Sequence, residues 1–116
     1  MMRDPTGVSS AFQTFLDEAP AASAAWMQAV EALGAASALD RKTAALAYLA
    51  VLAALRLESG VPFHARLAKQ VGATRAEVVS AVLIALPAAG NGVTQCLPAA
   101  LAAYDGAPIA PHQASR

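Results

Sequence analysis

The amino-acid sequence predicts an all-α fold of about six helices, built as one domain over residues 1–116. Alanine and leucine, which both favour helix, dominate the chain. The period-two alternation of a β-strand, with its β-branched and aromatic residues, appears nowhere. Apolar residues instead recur three and four positions apart, between prolines and glycines that mark the ends of segments.

The first two predicted helices meet at Pro20. The first, over 9–18, begins at a serine and carries aromatic residues and a leucine on one face. The second, over 20–33, has a clear apolar stripe, and Gly34 is expected to end it. We interpret Trp26, which lies in this stripe, as a core residue.

The third predicted helix spans 41–57, with Asp40 as its N-cap. Every residue from 44 to 55 is apolar, which predicts a helix buried all round, with Tyr48 in the core. This apolar run is shorter than the ~20 residues needed to cross a bilayer. We therefore expect a central core helix or a subunit-interface helix.

The fourth and fifth helices have distinct start signals. A proline opens the fourth, over 62–71, and Gly72 ends it. Thr74 and Glu77 form a capping box, because the two side chains can satisfy backbone N–H groups of the first turn. The fifth helix is expected to run from there to about Leu86.

The sixth helix is predicted over 93–104, with a kink at Pro98 or a first turn that begins there. The tail, 105–116, is expected to be extended or disordered, and its His112 suggests no site. Residues 78–104 carry no charge, but prolines and glycines divide them into pieces too short to span a membrane.

The composition predicts self-association. Apolar residues make up 57% of the chain and charged residues only 14%, against about 25% in an average soluble protein. A monomer of this size would expose much of its apolar surface, so we expect a homo-oligomer. The net charge is zero, which gives no electrostatic reason to expect a nucleic-acid or membrane partner.

Cys96 is the single cysteine, so an intrachain disulfide and a CxxC zinc or redox site are excluded. Its apolar neighbours predict a buried, unreactive thiol. The start of the chain lacks the apolar run of a secretory signal, and we expect a cytoplasmic protein.

His64 is the main candidate for chemistry. It falls in the first turn of the fourth helix, where the positive end of the helix dipole favours a neutral imidazole. Glu58 precedes the same turn and could approach the ring. A neutral histidine beside a carboxylate at the mouth of an apolar pocket is a general acid/base pair. A capping or interface histidine is the alternative that the residues leave open.

The run Leu39-Asp40-Arg41-Lys42-Thr43, the apolar helix, the turn with His64, and then Ala68, Gly72-Ala73-Thr74 and Glu77-Val78 resemble the carboxymuconolactone decarboxylase family. That family includes the alkylhydroperoxidase D-like proteins. The resemblance covers about 20–104 and is most specific over 39–78. It implies an alkylhydroperoxidase D-like all-α fold that assembles as a trimer or hexamer.

The peroxidase branch of the family carries a CxxC pair ahead of its histidine. The corresponding positions in this sequence are Leu57 and Gly60, and neither can supply a thiolate. Peroxidase activity is therefore not expected. Cys96 lies in a different predicted helix and does not replace the pair.

The decarboxylase branch lacks those cysteines and keeps the equivalents of Asp40, Arg41, Thr43 and His64, with acidic residues around Glu58. The sequence looks closer to this branch. It departs from it at 60–62, Gly-Val-Pro, where that branch is charged and helical.

The resemblance implies cofactor-free and metal-free acid/base chemistry, a decarboxylation or isomerisation of a small carbonyl or carboxylate compound. His64 would carry the proton, Glu58 would orient its ring, and Arg56 or Arg66 would hold an anionic group. The alternative is a non-catalytic member of the family, an oligomeric small-molecule-binding or structural protein.

Overall fold

A computed structural model describes residues 7–106, and these residues are mostly helical. The helices are α1 (Ser10–Glu18), α2 (Pro20–Ala36), α3 (Arg41–Ala54), α4 (Val61–Gln70), α5 (Arg75–Leu83), α6 (Leu86–Ala89) and α7 (Leu97–Tyr104). Six of them have eight residues or more, α6 is a single turn, and no strand occurs in this range. The predicted all-α fold of about six helices is confirmed. Most of the predicted tail, with His112, lies outside the described residues.

The predicted N-caps of α3 and α5 are both present. An oxygen of Asp40 accepts a hydrogen bond from the backbone N–H of Thr43 at 2.8 Å. The Thr74 hydroxyl accepts one from the backbone N–H of Glu77 at 3.1 Å, and the Glu77 carboxylate accepts one from that of Thr74 at 2.9 Å. The capping box is therefore confirmed, and both helices begin where local chemistry satisfies their first N–H groups.

Two helix ends differ from the prediction. α2 runs through Gly34 and ends at Ala36, so the expected stop at the glycine is wrong. α3 ends at Ala54 and does not reach residue 57. The reason is Arg56, whose φ of 59° is in the left-handed region and is incompatible with a continuing α-helix.

The segment after α5 is more broken than expected. α5 ends at Leu83, and Pro87 opens the one-turn helix α6. Residues Asn91–Cys96 form a 3-10 helix, so the last α-helix begins at Leu97 and not at residue 93. Pro98 lies in the first turn of α7, so of the two predicted alternatives the first-turn position is present and not the kink.

The core is formed mainly by α3, α4, α5 and α7. Small side chains dominate it, which allows the helices to approach one another closely. Its buried residues are Ala45, Leu49, Leu52, Ala53, Val61, Ala65, Ala68, Ala73, Val78, Val82, Val93, Cys96, Ala99, Ala100 and Ala103. Cys96 is thus buried, as predicted.

Two predicted core residues are at the surface. Tyr48 is 50% exposed and Trp26 is 56% exposed, so both predictions are wrong. α3 is buried on one side only, because Tyr48, Val51 and Leu55, at spacings of three and four residues, form an exposed apolar face. In α2 only Ser23 is buried.

The helices were compared with the length and hydropathy that a membrane span requires. Within residues 7–106, no helix is both long enough and apolar enough to cross a membrane.

Candidate functional site

His64 lies in the first turn of α4, as predicted. The chain reaches this position through a 3-10 turn, Glu58–Gly60, which leads directly into Val61 and Pro62. Pro62 occupies the first turn of α4, where its missing N–H leaves no hydrogen bond unmade. Since Val61 and Pro62 are both buried, they fix the start of α4 and with it the place of His64.

Two aromatic rings flank the imidazole. The Tyr48 ring, from α3, is stacked on His64 with 4.2 Å between ring centroids and 24° between planes. The Phe63 ring meets it edge-on, at 5.1 Å and 78°. His64 is half-buried as a result. Tyr48, which was expected in the core, is therefore a neighbour of His64 that reasoning from the sequence missed.

Burial determines the protonation of His64. Loss of contact with water lowers the pKa of the imidazole below its ordinary value of 6.5. The ring is therefore mostly neutral at pH 7, because desolvation disfavours the charged form. A neutral, half-buried imidazole can accept a proton and return it.

Glu58 lies in the 3-10 turn before α4, and its charge acts on Cys96. Burial, and then the negative charge of Glu58, raise the pKa of the Cys96 thiol. The thiol therefore stays protonated at neutral pH and is a poor nucleophile. The predicted action of Glu58 on the His64 ring stays a prediction.

Arg56 connects the end of α3 to the segment around α6. Its guanidinium lies so close to Gly92 that a side chain at this glycine would collide with it. Its Nη2 also donates a long hydrogen bond, 3.5 Å, to the carbonyl oxygen of Ala89. The anion-binding role of Arg56 stays a prediction.

Arg66 is half-buried in α4. It follows His64 by two positions, and residues two apart on a helix point to different sides. The ion pairs of residues 7–106 join Lys42 to Glu77 and Arg75 to Asp105, so Arg66 has no carboxylate partner in that part of the chain.

A second feature is an open groove between α3 and α5, which we call the α3–α5 groove. Its volume is about 630 Å³, and most of its surface is apolar. The lining residues are Lys42, Thr43, Leu46, Ala47, Ala50, Ala76, Glu77, Ser80, Ala81 and Ile84. None of the four predicted site residues is among them. The groove could not be recognised in the sequence, because four of its lining residues are alanines, which look like ordinary helix formers.

Metal-binding clusters are absent from the described helices. Between residues 7 and 106, no three or more His, Cys, Asp or Glu side chains are grouped so that they could hold a metal ion.

The sequence of the chain also matches a known protein family. The family model described as the carboxymuconolactone decarboxylase family matches residues 20–106. This range includes every predicted site residue and the whole of the core. No curated protein and no solved structure was found to match the chain.

Proposed function

The chain belongs to the carboxymuconolactone decarboxylase family, and on that premise we propose that it carries out cofactor-free acid/base chemistry with His64 as the proton carrier. The substrate is a small carbonyl or carboxylate compound, and the reaction is a decarboxylation or an isomerisation. The activity is that of a lyase or an isomerase. A dithiol peroxidase is not proposed, since Leu57 and Gly60 occupy the two positions that would need thiolates.

The environment of His64 carries this proposal. Its ring is half-buried against Tyr48, and its lowered pKa leaves it neutral at pH 7. A neutral imidazole can act as a general base, and the imidazolium that results can act as a general acid. The two flanking aromatic rings provide a flat apolar surface beside the imidazole, suited to a small unsaturated compound.

The proton transfers differ between the two reactions. In an isomerisation, neutral His64 removes a proton from a carbon next to the carbonyl, and the imidazolium returns it to another carbon. In a decarboxylation, CO₂ leaves and its bonding electron pair stays on the substrate. The imidazolium then gives a proton to that carbon, and solvent reprotonates His64. Either reaction needs a group that stabilises the enolate charge.

Arg56 and Arg66 are the cations that we propose for holding the anionic group of the substrate, and Glu58 is proposed to orient the imidazole. Of the two arginines, Arg56 would have to leave its contact with Gly92 to bind a ligand. Replacing either with lysine should raise KM more than it lowers kcat, since a flexible point charge replaces a planar fork.

We also propose that the protein works as a homo-oligomer in the cytoplasm, a trimer or hexamer as the family resemblance implies. The support for self-association is the number of large apolar side chains left exposed on α2 and α3. The cytoplasmic location stays a prediction of the sequence.

The second candidate is a non-catalytic small-molecule-binding or structural protein. One observation favours it: the α3–α5 groove is apolar and open, yet none of the predicted catalytic residues lines it. A protein whose ligand occupies this groove would not need His64.

The two candidates are separated by following a panel of carboxylated lactones and β-keto acids in D₂O by proton NMR. This measurement detects both turnover and deuterium incorporation. We expect turnover by the wild type and a loss of ~100-fold or more in His64→Gln, as for removal of a general acid or base. Gln70→Ala, an exposed change on the same helix, is the control and should keep full activity.

Full turnover by His64→Gln would contradict the role of His64. Saturable binding of a panel compound without any turnover or exchange would favour the non-catalytic candidate.

A further inference from the structure

Within residues 7–106, the Tyr48 hydroxyl is the only hydrogen-bond donor on the rings that flank His64. The other flanking ring belongs to Phe63, which carries no polar group. Tyr48 is half-exposed, and its hydroxyl makes no hydrogen bond to any residue of this range. Tyr104, by contrast, donates its hydroxyl to the carbonyl oxygen of Ala73 at 2.8 Å. The Tyr48 hydroxyl is therefore available to a bound molecule.

Packed helices hold both rings in place. Tyr48 lies on α3 next to Leu49, which is fully buried, and His64 follows the buried Pro62 in α4. With 4.2 Å between centroids and 24° between planes, the two rings present their edges side by side. A carbonyl compound at this shared edge needs a hydrogen bond of about 3 Å at each end, so it can contact both the phenol and the imidazole.

We propose that Tyr48 is a second catalytic residue, whose hydroxyl donates a hydrogen bond to the carbonyl oxygen of the substrate while His64 moves the proton. This inference rests on the proposed function. It names the group that stabilises the enolate charge, and it restricts the substrate to compounds with a carbonyl group next to the reacting carbon. The hydroxyl keeps its own proton and acts as a donor, like those of an oxyanion hole.

The hydrogen bond from Tyr48 strengthens as the reaction proceeds. In the isomerisation, the neutral imidazole of His64 takes a proton from the carbon next to the carbonyl. The C–H electron pair forms a C=C bond, and the π pair of the carbonyl moves to its oxygen, which faces the hydroxyl. Return of the proton to another carbon restores neutral His64. In the decarboxylation, the electron pair of the C–C bond takes the same route as CO₂ leaves.

The other polar candidates are less suited to this oxygen. The guanidinium of Arg56 contacts the segment around α6, and Arg66 points to a different side of α4 from His64. A Glu58 carboxylate would repel the enolate. The arginines stay the proposed partners of the anionic group of the substrate, so the carbonyl oxygen needs a donor of its own.

Tyr48→Phe tests the proposal, because it removes the hydroxyl and keeps a ring to stack on His64. Reactions are followed in D₂O by proton NMR, with the panel of lactones and β-keto acids and with phenylpyruvate, whose deuterium exchange requires only enolisation. We expect kcat to fall by about 10- to 100-fold, since water can partly replace a half-exposed donor. KM should change little, because the hydrogen bond strengthens only as charge develops.

Two controls isolate the hydroxyl from the ring. Val51→Ala changes another exposed side chain on the same face of α3 and should keep the wild-type kcat. The NMR pKa of His64 should be the same in Tyr48→Phe as in the wild type, so that the lost activity does not come from a changed base.

Three results would overturn the role of Tyr48. One is a wild-type kcat in Tyr48→Phe while His64→Gln is inactive, which would leave the role of His64 intact. A second is a loss of activity accompanied by a shifted His64 pKa, which would mean that the tyrosine acts only through the position of the imidazole. The third is a wild type that neither converts a panel compound nor accelerates the exchange of phenylpyruvate, in which case the proposed function fails as well.

Discussion

The ring of Tyr48 lies stacked on the imidazole of His64, with 4.2 Å between centroids and 24° between planes. The contact joins an exposed position on α3 to the first turn of α4, and it shields one face of the imidazole from water. Because burial is what lowers the pKa of His64, the tyrosine ring contributes directly to the neutral state from which His64 would accept a proton in the proposed isomerisation.

Removing the tyrosine ring should raise the pKa of His64. In Tyr48→Ala the imidazole regains contact with water, so its pKa should move up toward the ordinary value of 6.5. An NMR titration of the imidazole C–H signals measures this. Tyr48→Phe keeps a stacked ring, and Val51→Ala changes the same face of α3; both should leave the pKa close to that of the wild type. An unchanged pKa in Tyr48→Ala would show that other parts of the structure bury His64.

The pKa of His64 also predicts how stability varies with pH. The folded protein holds the proton less tightly than the unfolded chain, whose histidine pKa is near 6.5. The unfolded state therefore binds more protons as the pH falls below that value, and the free energy of unfolding decreases. Well above pH 6.5 His64 has no such effect, because the ring is then neutral in both states.

His64→Gln should remove this dependence, so its free energy of unfolding should fall less than that of the wild type between about pH 7.5 and about pH 5.5. Urea unfolding at several pH values measures it. The lowered pKa values of Asp40, Glu77 and Asp105 affect stability only at lower pH, as these carboxylates become protonated. If the free energy of unfolding changed equally with pH in the wild type and in His64→Gln, the prediction would be contradicted.

Arg56 and Gly92 should show coupled stability effects. Gly92→Ala in the wild type places a methyl group against the Arg56 guanidinium, which must move away. In an Arg56→Ala background the same change meets no guanidinium. There it should stabilise by about 0.5 kcal/mol, because alanine restricts the unfolded chain. A double-mutant cycle followed by urea unfolding measures the coupling, and additive effects would argue against the contact.

The left-handed backbone of Arg56 gives a separate prediction. With φ at 59°, glycine should be tolerated better than alanine, by about 1 kcal/mol. Arg56→Gly and Arg56→Ala both lose the guanidinium contacts, so their difference in unfolding free energy isolates the backbone contribution. Equal stabilities would mean that the chain relaxes out of the left-handed conformation when the arginine is removed.

The capping box of α5 should contribute measurably to stability. Thr74→Ala removes the acceptor of the Glu77 N–H and should destabilise by about 1 kcal/mol. Glu77→Gln keeps an acceptor for the Thr74 N–H but loses the charge that faces Lys42. It should be the milder change, since exposed ion pairs contribute little. Thermal unfolding of the two variants measures the two losses of stability. A larger loss in Glu77→Gln than in Thr74→Ala would mean that the ion pair contributes more to stability than the Thr74 cap.

The parts of the fold that local chemistry decides could be predicted from the sequence. The N-caps at Asp40 and Thr74 and the proline at the start of α4 follow from residue type and spacing alone. The end of α3 could not be predicted, because its cause is the left-handed conformation of Arg56, and arginine carries no preference for it.

Burial was harder to predict than helix position. Trp26 and Tyr48 lie in apolar helices, and an apolar pattern looks the same whether a face meets its own core or a second copy of the chain. The contact of Tyr48 with His64 could not be predicted either, because it depends on where α3 ends and how the chain turns into α4.

The pH dependence of kcat/KM, for whichever compound of the panel is turned over, tests the role of His64 most directly. We predict a transition at a pH below 6.5, where His64 titrates, with activity rising with pH for an isomerisation and falling for a decarboxylation. In Tyr48→Ala the transition should move to higher pH together with the NMR pKa of His64. A wild-type kcat/KM that does not change with pH below 6.5 would contradict the assignment of His64 as the proton carrier. The same holds if His64→Gln shows the same pH dependence as the wild type.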